Sequence, residues 1–137
     1  MEKLIEQEAE KLTNTTVLVV DDQPAILRLL KEALTLKGYQ VLAAASVSRA
    51  LEMAREKKPE LIILDISIGG QSGFLAAENF KAFLPQAKII FITAHSDEEL
   101  LKKAQQIAQA VLVKPFGIEK LYQEVDKIAA KVIGDYV

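Results

Sequence analysis

The chain has no cysteine, a single histidine, four prolines and six glycines among 137 residues. Without cysteine there are no disulfides and no thiolate metal sites, a composition compatible with a reducing compartment. His95 stands alone, so a zinc site of the usual nitrogen and sulfur donors has too few ligands. Charge of neither sign is in excess: 17 Lys and Arg face 19 Asp and Glu, for a net charge of −2. That balance offers no basic field for nucleic acid, and none is expected as a direct partner. Long hydrophobic runs are missing too, since no apolar stretch approaches the ~20 residues of a membrane span. The start, Met1-Glu2-Lys3-Leu4-Ile5-Glu6, is too polar for a signal peptide. The expectation is a cytoplasmic protein with no membrane partner.

What is there is a regular alternation of short apolar runs and helical patterns. Val17-Leu18-Val19-Val20, Leu61-Ile62-Ile63-Leu64, Ile89-Ile90-Phe91-Ile92 and Ala110-Val111-Leu112-Val113 are unbroken apolar runs, the habit of strands buried on both faces of a parallel sheet. Tyr39 to Ala44 is less hydrophobic and reads as a strand nearer the sheet edge. Between the runs lie helical patterns. One starts at Asp22 as N-cap with Pro24 in the first turn and is closed by Gly38; another starts at Ser46 or Ser48 and runs to about Lys57. A third spans about Phe74 to Leu84, a fourth opens on a capping box from Ser96 to Glu99, and a fifth covers Ile118 to about Ile133. Glu2 to Leu12 carries a thin apolar stripe, Ile5, Ala9 and Leu12, and reads as an appended helix. The expected organisation is a helical appendage over residues 1–14 and one α/β domain over residues 15–137, with five parallel strands alternating with five helices.

In open α/β sheets ligands bind at the carboxyl edge of the strands. The pattern places Asp21 and Asp22 there from the first strand, Asp65 from the third, Thr93 from the fourth and Lys114 from the fifth. Each alone reads more simply as a cap, a turn hydroxyl or a solvated end residue. Five chemistry-bearing residues on one edge point instead to a site.

The motifs Val19-Val20-Asp21-Asp22, Leu64-Asp65 with Gly73 eight positions further, Ile92-Thr93-Ala94 and Lys114-Pro115-Phe116 fall in order over about Thr15 to Ile133. Over that span the chain resembles the receiver domain of two-component response regulators. The resemblance implies a doubly wound (βα)5 flavodoxin-like fold with strand order 2-1-3-4-5, for which a chemotaxis receiver is a standing example. It implies that Asp65 accepts a phosphoryl group from a phosphohistidine on a sensor histidine kinase or histidine phosphotransfer protein. A carboxylate can act as such a nucleophile. By the same resemblance Asp21, Asp22, Asp65 and the backbone carbonyl of Ser67 would hold Mg2+ or Mn2+, hard cations suited to oxygen donors. Lys114 would pair with the phosphoryl oxygens, Thr93 would hydrogen-bond one of them, and Pro115 would be cis. The chain would catalyse only its own phosphorylation and dephosphorylation, and signal to a downstream protein that the sequence does not identify.

Three positions depart from the family pattern. Gly69 stands where proline is usual, which predicts a looser loop after Asp65. Val111 occupies the position of a frequent aromatic switch residue, and Ile107-Ala108 replaces a frequent Gly-Ala. Ser67 and His95, each two residues beyond a site residue, occupy positions that in the family tune water access to the phosphoryl group. Two other readings stay open: a receiver-like binding module that signals unphosphorylated, and a receiver cut from a hybrid kinase or a DNA-binding regulator. A dehalogenase-type phosphatase wants an Asp-x-Asp nucleophile motif, which Asp65-Ile66-Ser67 lacks.

Overall fold

A computed structural model describes residues 14–135, with side chains described through residue 130. The helix expected over Glu2 to Leu12 lies outside the described residues. In chain order the elements are β1 (Thr16–Val20), α1 (Pro24–Leu36), β2 (Gln40–Ala44), α2 (Val47–Lys57), β3 (Leu61–Asp65), α3 (Gly73–Phe83), β4 (Lys88–Thr93), α4 (Glu98–Ile107), β5 (Ala110–Val113) and α5 (Ile118–Asp135). The strands pair in parallel in the order β2-β1-β3-β4-β5, with β2 at an edge as its weaker hydrophobicity predicted. Between β3 and α3 a two-residue ladder, Ser67–Ile68 against Gln71–Ser72, forms a small antiparallel hairpin that the sequence reading did not anticipate.

Alternation along each strand sends side chains to two cores, which is why the central strands are apolar at every position. Leu18, Val20, Ile62, Leu64, Ile89 and Phe91 pack under α2, α3 and α4, with Ala50, Ala54, Ala76, Ala77, Phe80 and Ala104 as the helical contribution. Val17, Val19, Leu61, Ile63, Ile90 and Ile92 pack under α1 and α5, against Leu30, Leu34, Leu121 and Val125. All of β3 is buried, Asp65 included. The buried faces of α2 and α3 are lined largely by small residues, Ala50 and Ala54 on one and Gly73, Ala76 and Ala77 on the other. No described helix is long and apolar enough to cross a membrane.

The helix ends hold two corrections. Ser46 caps α2 as expected, its Oγ accepting from the Arg49 N–H at 3.2 Å, and Gly38, at φ 103°, follows α1 in the left-handed region. Asp22, however, is not the cap of α1. Gln23 occupies that position and makes no side-chain cap bond, while the Asp22 carboxylate turns to the β3–α3 loop and accepts there from Gly69. The Ser96 to Glu99 capping box is also absent. Here α4 starts one residue later than the box requires, with Asp97 at the N-cap and no side-chain cap bond. Glu98 and Glu99 in its first turn still favour the helix by facing the positive end of its dipole.

Candidate functional site

Asp21 follows directly on β1, Asp65 ends β3, Thr93 ends β4 and Lys114 follows directly on β5, so parallel pairing alone gathers them at one edge. The register tightens this. Asp65 pairs with Ile92, the Ile66 N–H donates to the Ile92 carbonyl at 3.0 Å, and the Lys114 N–H donates to the Thr93 carbonyl at 2.7 Å. Lys114 Nζ then lies 2.8 Å from Asp65 Oδ2, 3.0 Å from Asp21 Oδ2 and 3.1 Å from Gln23 Oε1. Gln23 was not singled out in the sequence. Its place immediately after two acids at a strand end was the available signal. The Lys114–Pro115 bond is cis, as the resemblance implied.

One oxygen of each carboxylate is fixed by a backbone N–H. Gln23 donates to Asp21 Oδ1 at 2.8 Å, Ser67 donates to Asp65 Oδ1 at 3.0 Å, and Gly69 donates to Asp22 Oδ2 at 2.9 Å. Carboxylate oxygens of Asp21, Asp22 and Asp65 all lie within 4.8 Å of one another. Asp21 is fully buried and Asp65 nearly so, whereas Asp22 is exposed. Burial pushes the Asp21 carboxyl above the usual carboxylate range, against the opposing pull of the Gln23 N–H and the Lys114 ammonium. For Lys114 burial works against the charge, but its bonds to Asp65 and Asp21 outweigh it and raise its pKa.

Three acids and one ammonium leave a local excess of negative charge. The donors are all hard oxygens and one acid opens to solvent, which suits Mg2+, an ion that keeps several of its waters.

Thr93 is buried, and its Oγ1 accepts from the His95 N–H at 3.0 Å, so the hydroxyl proton remains available to donate. His95 itself is exposed. Gly73 is required where it stands. Its N–H donates to the Ile66 carbonyl at 2.5 Å, and a Cβ there would lie 2.7 Å from Ile66 Cα, so the first turn of α3 rests directly on the peptide after Asp65. Ser72 caps that turn, accepting from Phe74 at 3.2 Å. The looser loop predicted at Gly69 takes a definite form, a two-residue turn with Gly69 at φ 55° and Gly70 at φ 79°.

The response regulator receiver domain family model matches residues 17–126. The chain belongs to that family. Sporulation initiation phosphotransferase F of Bacillus subtilis is 30% identical over 85% of this chain and 94% of its own length. The transcriptional regulatory protein KdpE of Mycobacterium tuberculosis is 37% identical over 77% of this chain, which spans 47% of that longer relative. Among solved structures, response regulator protein TrrA from Thermotoga maritima, in complex with Mg2+ and BeF, is 35% identical with a TM-score of 0.74, covering 83% of this chain and 98% of that one. The chain is thus a receiver domain of the two-component type, with the flavodoxin-like strand order that the resemblance implied. Receiver domains of response regulators are phosphorylated by histidine kinases or phosphotransfer proteins.

Proposed function

We propose that this receiver accepts a phosphoryl group on Asp65 from a phosphohistidine of a sensor histidine kinase or histidine phosphotransfer protein, and relays the event to a downstream protein by a change of shape. The observation that supports it best is Lys114 Nζ, held 2.8 Å from Asp65 Oδ2 and 3.0 Å from Asp21 Oδ2. It sets the ammonium where charge builds up during transfer. Asp65 attacks phosphorus as its P–N bond breaks, and the electron pair returns to the donor imidazole. Phosphoryl transfer asks the protein for positioning and charge neutralisation more than for covalent chemistry. Lys114 exchanges its contact with Asp65 for the incoming phosphoryl oxygens, with Gln23 and Asp21 keeping it in reach. Thr93 donates its free hydroxyl proton to another phosphoryl oxygen. Asp21, Asp22, Asp65 and the Ser67 carbonyl would hold Mg2+ or Mn2+, which supplies neutralisation of the oxygens in flight. Ser67 and His95 flank the path by which water would reach the phosphoryl group. The domain so defined is residues 15–137, residues 1–14 being an appendage, and the place of work is the cytoplasm.

The test is phosphoramidate with Mg2+ followed by intact-protein mass spectrometry. One phosphoryl adduct is expected, absent when Mg2+ is chelated before the donor is added and absent in Asp65→Asn. Undiminished labelling of Asp65→Asn would overturn the assignment.

A further inference from the structure

Of the three acids at the sheet edge, Asp22 is held differently. Lys114 reaches Asp21 and Asp65, and the backbone donors to those two acids come from the residues two further along, Gln23 and Ser67, in short local turns. Asp22 is exposed, and its Oδ2 is fixed from 47 residues away by the Gly69 N–H at 2.9 Å. That donor exists only because residue 69 is neither proline nor in an ordinary conformation. Proline has no N–H and holds φ near −65°, whereas Gly69 stands at φ 55° at the tip of the Ser67–Ile68/Gln71–Ser72 hairpin. Nothing lies within 4 Å of the place a Cβ would take at Gly69 or Gly70, so crowding does not require glycine at either position. The requirement at Gly69 is the left-handed backbone and the free amide.

We propose that Gly69 is a positioning residue for divalent-cation binding. Its amide pins the one carboxylate that Lys114 does not reach, and so joins the hairpin containing Ser67 to the acids of β1. This rests on the cation reading above and adds to it. With Asp22 pinned through Oδ2, its carboxylate stays within 4.8 Å of those of Asp21 and Asp65 without a search among side-chain rotamers, and the order imposed on the acid is shared by the hairpin. Cation uptake and hairpin conformation are then one coupled equilibrium, and binding of the ion should quieten residues 67–72 along with the acids.

The full chain is titrated with Mn2+, free ion being counted by electron paramagnetic resonance, in the parent, Gly69→Pro, Gly69→Asn and Gly70→Asn. Asparagine keeps the N–H and tolerates positive φ. Gly69→Pro is expected to weaken Mn2+ binding at least threefold, with Gly69→Asn restoring affinity to within about twofold of the parent because it keeps both the N–H and the left-handed backbone that hold Asp22. Gly70→Asn should stay with the parent. A folded Gly69→Pro with parent affinity would overturn the proposal, and so would a Gly69→Asn as weak as the proline variant, since the N–H would then not be what matters. Should Gly69→Pro fail to fold, amide hydrogen exchange in the parent decides. Gly69 protection is expected to fall in Asp22→Ala, and protection that does not change would refute the contact. A parent that takes up no Mn2+ would sink the cation reading itself, and the proposal with it. A parent that binds while its variants are indifferent sinks only the role of Gly69.

Discussion

Asp21 opposes the fold that positions it. Its carboxyl is fully buried, and burial raises its pKa above the value of the unfolded chain. A group raised in this way contributes stability at low pH that is lost as pH rises through its folded value, so at neutral pH the charged form works against folding. Each neighbouring acid within 4.8 Å adds a repulsion on the order of 3–4 kcal/mol at an effective dielectric near 20, which Lys114 and solvent offset in part. Asp21→Asn should therefore raise the melting temperature in chelator by roughly 2–6 °C, the gain shrinking toward acid pH, while phosphorylation falls. Calorimetry against pH checks it; a lower melting temperature in chelator at neutral pH would contradict the acid cluster. Gly73→Ala should act in the opposite direction, losing about 1–3 kcal/mol by forcing α3 off the Ile66 peptide. Denaturant titration reads that loss. At this scale the acids, Thr93 and Lys114 were legible because each follows or ends a strand, and a strand end is visible as the last residue of an apolar run. Gln23 and the Gly69 amide were not. Glycine at 69 marked an unusual loop but not the acid its amide would meet, and Gln23 acts through a long side chain whose reach its position after two acids does not show.

Among the elements, α1 and α5 are joined by a polar staple at the far end from the site. The Tyr39 hydroxyl donates to Asp126, Lys37 pairs with Asp126 at 3.1 Å and lies over the Tyr122 ring, and the Tyr122 hydroxyl donates to the Ala33 carbonyl at 2.7 Å. Burial and the bond to Asp126 push the Tyr39 phenol well above its ordinary pKa. Tyr39→Phe should cost about 1–2 kcal/mol by leaving Asp126 short of a donor, whereas the half-exposed Lys37 pair is worth less. Urea melts of Tyr39→Phe and Lys37→Met separate the two. On the opposite side Val111 is half-buried, pairs in register with Phe91 and packs beside the core under α4. A short β-branched side chain has no large rotamer excursion with which to couple Thr93 to the α4 and α5 surface. Moving a two-state equilibrium from 1:99 to 99:1 needs about 5.5 kcal/mol of differential binding. The active state should thus remain partly populated in the free phosphorylated protein. Amide NMR with beryllofluoride should show two sets of peaks, or averaged ones, across Ala110 to Lys120, and a complete shift to one new set without a partner would contradict this. Helix starts were the least legible part of the elements. Asp22 and Ser96 have the right chemistry for caps, but the first is drawn to Gly69 and the second lies one residue too early.

For the whole molecule, the alternation of buried runs and amphipathic helices was enough to read an α/β sheet, because a strand buried on both faces must be apolar throughout and few other structures ask for that. Strand order was not in the pattern. It came through family resemblance, and the sheet bears it out with β1 between β2 and β3. That order places the acids of β1 beside Asp65 of β3 and lets Lys114, following β5, reach across from the far edge. Asp65 as phosphoacceptor is the claim on which the rest depends. The most direct measurement treats the protein with phosphoramidate and Mg2+, reduces it with borohydride to convert an aspartyl phosphate to homoserine, and locates that residue by peptide mass spectrometry. Homoserine at position 65 alone is the predicted result, while homoserine at Asp21 or Asp22, or at no position in a protein that has taken up phosphate, would contradict it.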